Sequence, residues 1–400
     1  MKSGKTALRG KDIRKGNEKL VLRLIQQKDN LSQSEVVEIT GLKAPTILRI
    51  FNNLEEQKLI QVTTRPRESV EKKGRKPVFY TLNPEAGYIV GVEFWSDAAT
   101  VVISNLTRET ILSQTIEINK GIDGQQVLLI LKELIENAIK SAGIDPDMVI
   151  GVGLGAPGRV DTKTGKVIYY SRINGLVNFD LKTYLEENLN LPVYVNNNCS
   201  VIAMNEYNMN TEIKKGPIMA ILIRGGVGGA YINDGKVLTA GSITTVELGH
   251  ISVDPKGREC SCGRRGCLET YLSEGAILED LSSIVVLDSL EELEKSLHDS
   301  DDPEIQGKVD AFIREKGDIL SHTIQNLNNL FSPESYLIIS RSRTFSEDLV
   351  TRVKEADSRF TFAPGGRHPN FIPVEYNPLH AGMGACDLVF SEYFRQDGHL

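Results

Sequence analysis

Long apolar runs are missing from this 400-residue chain. None approaches the roughly 18–20 residues that a helical membrane span needs, so no membrane partner is expected. The opening stretch "MKSGKTALRGKDIRKGNEKL" is charged but lacks the apolar segment of a secretory signal, and the chain is expected to be cytoplasmic. Low-complexity tracts and short-period repeats are also absent. Cysteine is scarce: Cys199, Cys260, Cys262, Cys267 and Cys386 are the whole set, and three of them fall within eight residues. In a cytoplasmic chain such a cluster points to metal rather than to a disulfide framework. What remains is ordinary globular composition, 40% hydrophobic and 25% charged, on a length that implies two or three domains.

Charge is uneven along the chain. Residues 1–80 hold 18 Lys and Arg against 9 Asp and Glu, although the whole chain carries a net charge of −7. A basic head on an acidic body implies an anionic partner for the head alone. Residues 13–28 set Leu20, Leu22 and Ile25 on a helical stripe. Ser32 and Glu35 form an S-x-x-E capping box that starts a short helix, and Gly41 suits the left-handed turn that ends it. Pro45 fits the first turn of the next helix, whose Ile47, Ile50, Phe51 and Leu54 recur at buried helical spacing. Two short helices joined by a Gly-containing turn make a helix-turn-helix. The second helix offers Lys43, Thr46, Arg49, Asn52 and Asn53 to base edges and phosphates. The stretch "LIQVTTRPRESVEKKGRKPVFYTLN" then reads as strand, basic turn, strand. That is a wing, with Arg75 and Lys76 placed to follow phosphates or enter a minor groove. Basic balance, wing and capping box together favour DNA over a protein-interaction module.

From about residue 86 the pattern becomes α/β. "YIVGVEFW", "ATVVISNL" and "TILSQTIEI" read as successive strands. "GQQVLLILKELIENAIKSAG" is an amphipathic helix burying Val127, Leu128, Leu131, Leu134, Ile135 and Ala138. "MVIGVGLGAPGRVD" is a buried strand running into a glycine- and proline-rich loop. A similar succession recurs from "IMAILIRGGVGGAYINDGKVLTAG", through helical segments over roughly 270–330, to the strand "SYLIIS". Strands first, then helix and strand, twice over, imply two related lobes with a cleft between them.

The cysteine cluster lies in "ELGHISVDPKGRECSCGRRGCLETY". His250, Cys260, Cys262 and Cys267 supply one nitrogen and three sulfurs, a full tetrahedral set for one structural zinc per chain. Cys199 and Cys386 read as buried apolar residues instead. Glu247 and Glu269 flank the cluster. If metal pins one ring nitrogen of His250, the other can face a ligand, and Glu247, His250 and Glu269 become a plausible polyol site.

These segments, "GLGAPGRVD", "GGVGGAYINDG", "ELGH" and "CSCGRRGCLE", resemble the ROK family of sugar kinases and sugar-responsive repressors, over nearly the whole chain from about residue 15. The winged head followed by "GRKP" resembles the repressor branch, with members responding to glucose, xylose and N-acetylglucosamine. The resemblance implies an α/β fold in which an N-terminal winged helix-turn-helix precedes a two-lobed, actin/RNase H-like, sugar kinase-like domain. The implied division is 1–85 for the head, 86–196 for a first lobe completed by a C-terminal helix over 380–396, and 197–379 for a second lobe with the zinc loop. It also implies sugar contacts at Asn197, Glu247, His250 and Glu269.

The departures from the family pattern carry as much information. The first phosphate loop of the kinases, D-x-G-G-T-K, is here "EFWSDAA", with Glu93, Trp95 and Ser96 where Asp and glycines would stand. A backbone phosphate cradle needs glycine, and Trp95 would obstruct it. The second loop is "IRGGVGGA", with Arg224 and Gly225 replacing glycine and threonine, and a third glycine pair is Ser340–Arg341. Three altered elements argue that ATP does not bind. In "VNNNCSVIAMNE", Asn198 takes the position of the general-base aspartate. An amide cannot accept the sugar's proton but still makes hydrogen bonds, so it can hold a sugar without activating it; Asn198 is also positioned to cap the helix that follows.

The sequence therefore leads to the expectation of a repressor of carbohydrate-utilisation genes, not an enzyme, which binds operator DNA as a homodimer or homotetramer and is released by a sugar or sugar derivative. A sugar kinase with a DNA-binding head and a regulator controlled by a partner protein stand as the alternatives.

Overall fold

The computed structural model describes residues 10–28, 30–63, 77–210, 213, 216–244, 246–290, 292, 302–357 and 368–393. The head consists of α1 (Gly10–Lys28), β1 (Leu31–Ser32), α2 (Gln33–Thr40), α3 (Ala44–Glu56), β2 (Ile60–Val62) and β3 (Phe79–Leu82). Local chemistry fixes the turns. Ser32 caps α2 in a reciprocal box with Glu35, and Gly41 closes it at φ 67°. Ile47, Ile50, Phe51 and Leu54 are buried under α3, and Phe51 meets Tyr80 edge-on at 4.9 Å between ring centroids. β2 and β3 pair antiparallel, which is the base of a wing; its tip, with Arg75 and Lys76, lies outside the described residues.

The first lobe is built from β4 (Tyr88–Phe94), β5 (Ala98–Asn105), β6 (Thr110–Glu117), α4 (Gly124–Ser141), β7 (Val149–Ala156), β8 (Arg159–Asp161), β9 (Lys166–Tyr169), β10 (Val177–Asp180), α5 (Leu181–Leu189) and β11 (Val193–Asn197). The second continues with α6 (Asn198–Met209), β12 (Ile218–Ile223), β13 (Val227–Asn233), β14 (Lys236–Val237), β15 (Thr239–Ala240), β16 (Ile243–Thr244), α7 (Glu269–Leu272), α8 (Glu274–Leu281), α9 (Pro303–Phe331), β17 (Ser335–Ser340), α10 (Arg343–Asp357) and β18 (Asn370–Glu375), and the chain closes with α11 (Pro378–Tyr393).

The two large sheets repeat one topology. The first runs β11-β7-β4-β5-β6 and the second β18-β17-β12-β13-β14. In each, a leading strand pairs antiparallel with the next and parallel with a strand that follows a helix. A small antiparallel sheet, β10-β9-β8-β16-β15, joins a hairpin of the first lobe to one of the second. Helix α11 returns to lie on β4 and β7 of the first sheet. Close approach explains two glycines there: a Cβ on Gly91 would collide with the Gly382 carbonyl, and one on Gly153 with that of Ala385. Leu22, Phe51 and Leu82 of the head share an apolar cluster with Ile89, Met383 and Phe390 of the body. Among the described residues no helix is long and apolar enough to cross a membrane.

Candidate functional site

Open α/β sheets bind ligands beyond the carboxyl ends of their parallel strands. Here those ends belong to β4, β7 and β11 on one side and to β12, β17 and β18 on the other. They face each other. Tyr376, just after β18, donates its hydroxyl to Glu93 Oε2 at the end of β4 (3.0 Å). Arg341, just after β17, donates to Asp97 Oδ2 (3.0 Å).

At the end of β11 the asparagines divide their tasks. Asn197, not Asn198, is the cap of α6, a correction to the sequence expectation: its Oδ1 accepts from the N–H of Cys199 (2.8 Å) and Ser200 (3.3 Å). The reason is backbone geometry: Asn197 is extended at φ −70°, ψ 143°, and Asn198 is already the first helical residue. Asn197 Nδ2 also donates to the Gly158 carbonyl (2.6 Å), tying the junction to the loop after β7. Asn198 is buried, and its Nδ2 finds no partner among the described residues. Cys199 is buried behind them, and burial, with Glu247 and Glu93 nearby, pushes its thiol up to about 12. Cys386 is buried as well.

The loop from Glu247 to Glu269 brings its metal-ligating set together. One ligand atom each from His250, Cys260, Cys262 and Cys267 lies within 4.8 Å of all the others. Cys262 Sγ is 3.6 Å from Cys267 Sγ, and Cys260 Sγ is 3.6 Å from His250 Nδ1. Zinc–sulfur arms of about 2.3 Å at tetrahedral angles set an S···S edge of roughly 3.7–3.8 Å, so the donor set fits a metal ion of that kind. Gly263 (φ 83°) and Gly266 (φ 68°) turn the backbone around it. With Nδ1 facing the thiols, His250 Nε2 is the nitrogen left for a ligand.

Glu247 is solvent-exposed at its surface, yet the protein around it withdraws bulk water and raises its carboxyl pKa, against the pull of His250 and Arg159. Glu269 stands close: its Oε2 accepts from Val227 N (3.4 Å), and a Cβ on Gly226 would press on it. Glu269 lies near enough to add to the cost of charging Glu247. A cavity of about 480 Å³ elsewhere, lined by Glu206, Arg343, Glu375, Tyr376 and His380, shares only Tyr376 with this region.

The ends of β4 and β12 are filled by side chains. The Arg224 guanidinium lies between the rings of Trp95 (4.5 Å) and Tyr376 (4.1 Å). Glu93 is fully buried, and that burial holds its carboxyl up at about 7, although Arg224 and Tyr376 pull it down. Tyr376 escaped the sequence reading. It is 283 residues from its partner, and nothing local marks it.

In the head, Lys43 and Arg49 are exposed, Thr46 half so, at the start of α3. Asn52 is exposed, but Asn53 is engaged inside the head, donating to Glu18 Oε1 (3.0 Å). That contact corrects its expected role as an exposed residue offered to DNA.

Comparison with known proteins agrees with this architecture. The ROK family matches residues 89–392, and a pattern described as winged helix-turn-helix DNA-binding matches residues 14–61. The xylose repressor of Bacillus spizizenii is 28% identical over 384 residues, covering 95% of this chain and 96% of that protein. A solved ROK family transcriptional regulator, a homolog of the E. coli MLC protein, superposes with a TM-score of 0.79 at 25% identity, over 96% of this chain and 98% of that one. A ROK family glucokinase from Streptomyces griseus shares the fold of the body, with a TM-score of 0.63 at 21% identity; it is covered to 99% but leaves a quarter of this chain over, covering 76%. The chain belongs to the ROK family, with a winged helix-turn-helix at its N-terminal end.

Proposed function

We propose that this protein is a sugar-responsive transcriptional repressor of carbohydrate-utilisation genes, not a kinase. One observation carries the reading. A winged helix-turn-helix is joined to a sugar kinase-like body in which Trp95, Arg224, Tyr376 and Glu93 fill the ground between the ends of β4 and β12. Those are the strand ends at which the phosphate loops of the family's kinases lie, so ATP is not a cofactor. Relatives that match both head and body and are named repressors support it.

In this reading Glu247, His250 Nε2 and Glu269 meet sugar hydroxyls beside Asn197 and Asn198. Asn198 has a donor to spare but no basicity, so the sugar is held and not activated. The ion of the His250, Cys260, Cys262 and Cys267 set is zinc, and its role when bound is to fix the ring of His250 and the loop that carries both glutamates. Lys43, Thr46 and Arg49, with Arg75 and Lys76 of the wing, contact operator DNA. Paired heads on a two-fold operator require a homodimer or homotetramer. The division into 1–85, 86–196 with the C-terminal helix, and 197–379 goes with this reading. Sugar closes the cleft and alters the setting of the heads, lowering operator affinity; the apolar cluster shared by head and body is the path.

A thermal-shift screen with a panel of pentoses, hexoses and amino sugars, followed by DNA release with the hit, tests the reading. A sugar that stabilises the protein and releases DNA is the expected result. Deleting residues 1–80 should remove salt-sensitive DNA binding and spare sugar binding. ATP-dependent turnover lost on Glu247→Gln would make the protein a kinase. No stabilising sugar, with DNA released by a partner protein, would make it partner-controlled.

A further inference from the structure

Five buried polar atoms lack a hydrogen bond among the described residues and belong to one neighbourhood: Glu93 Oε1, Trp95 Nε1, Asn198 Nδ2, and Nε and Nη1 of Arg224. Native proteins leave few such atoms, so a cluster of them asks for a physical reason. Glu93 Oε1 and Arg224 Nη1 are 3.9 Å apart. Charge-assisted hydrogen bonds of this kind run about 2.7–2.9 Å, so the pair stops about 1 Å short of contact. Both side chains are buried, 3% exposed or less, and a buried pair that does not close forgoes the bonds that offset its desolvation.

The two residues come from different lobes. Glu93 is the penultimate residue of β4, and Arg224 follows β12. Both are already held across the boundary, since Tyr376 follows β18 of the second lobe and Trp95 follows β4 of the first. Tyr376 donates to the other oxygen of Glu93, and the rings of Trp95 and Tyr376 fix the plane of the guanidinium. Closing the remaining gap of about 1 Å between Glu93 and Arg224 completes the bond. The strand-helix junction adjoins this point. A Cβ built on Gly155 would stand 3.3 Å from Glu93 Cγ and 3.6 Å from Asn198 Cα, so Asn198 and Glu93 pack on either side of one glycine. A second pair across the lobes, Arg341 with Asp97, is partly exposed and worth little by itself.

We propose that Glu93 and Arg224 form an inter-lobe clasp, half-made in this structure, that is completed when the lobes close on a sugar. The chain's own arginine thus bridges the lobes where a kinase would use nucleotide phosphates. Glu93 and Arg224 are positioning residues: they set how readily the cleft closes without touching the sugar. The closing stimulus rests on the repressor reading above; the clasp itself does not. Trp95 is the only tryptophan of the chain and stacks on Arg224, so it reports on the clasp directly.

The test uses the full-length protein with Glu93→Gln, Arg224→Gln and the double substitution. Without ligand, either single change should raise amide hydrogen exchange about tenfold or more at residues 95–98 and 224–228, as loss of a charged hydrogen-bonding partner allows. Unchanged exchange there overturns the clasp. With D-xylose, D-glucose and N-acetyl-D-glucosamine as probes, whichever binds should shift the Trp95 emission. Both singles should weaken that binding, and the double should be no weaker than the worse single. Binding with unchanged emission, or losses that simply add, overturns it. If none of the three sugars raises the melting temperature, the sugar reading loses its support and the exchange measurement alone decides the clasp. Should Arg224→Gln fail to fold, Arg224→Lys keeps the charge, removes the planar fork and is expected to raise exchange by an intermediate amount.

Discussion

His250 Nδ1 lies 3.6 Å from Cys260 Sγ, which commits one nitrogen of the ring to the thiol cluster and leaves Nε2 outside it. Under the proposed function the metal loop and the sugar site share His250. Metal analysis of protein purified without added zinc should return about one zinc per chain. Chelation should lower the melting temperature and weaken sugar binding together. Four freely alkylatable thiols and histidine-independent stability would count against the site.

Asn197 performs two structural tasks that can be separated. Asn197→Ala removes the cap of α6 and the bond to Gly158, and should cost about 1–2 kcal/mol in a denaturant titration. Asn197→Asp keeps an acceptor for the helix N–H groups but sets a carboxylate against the Gly158 carbonyl. It should destabilise through the loop after β7 while leaving α6 capped, a difference that hydrogen exchange at residues 198–201 can read.

Burial holds the Glu93 carboxyl at about 7, above its ordinary 4.5, while Arg224, the Tyr376 hydroxyl and Trp95 favour the carboxylate and Asp97 opposes it. A carboxyl raised on folding contributes stability that is complete below its ordinary value and is withdrawn as pH rises through about 7. The wild type should therefore lose stability relative to Glu93→Gln between about pH 5 and about pH 8. Trp95 emission should titrate over the same range and be flat in the Glu93→Gln variant. A constant stability difference would show that the group does not ionise there.

Asn198→Asp places a carboxylate where the resemblance puts the kinases' general base, without clearing Trp95 and Arg224 from the ends of β4 and β12. ATP-dependent phosphorylation should stay undetectable across pentoses, hexoses and amino sugars. Turnover from this single change would mean that nucleotide enters despite those side chains.

Much of the molecule was legible because it is local. The Ser32–Glu35 box and Gly41 delimit α2 from within ten residues. The stripe of Ile47, Ile50, Phe51 and Leu54 buries as its spacing requires. His250 and Cys267 are 17 residues apart, so the chain between them can hardly avoid bringing the ligands together. Asn197 and Asn198 were harder, since which of two adjacent amides caps a helix depends on where the backbone leaves the extended state.

By itself the sequence determined the winged head, the order of strands and helices in the two lobes and the grouping of the metal ligands, because caps, periodicity and short spacing act over a few turns of chain. Tertiary structure alone decided what lies between the lobes. The Tyr376–Glu93 bond spans 283 residues, and the stacking of Arg224 between Trp95 and Tyr376 joins three separate strand ends. Side chains of residues so far apart carry no mutual signal in sequence; they meet because two sheets of the same topology direct their strand ends at one another.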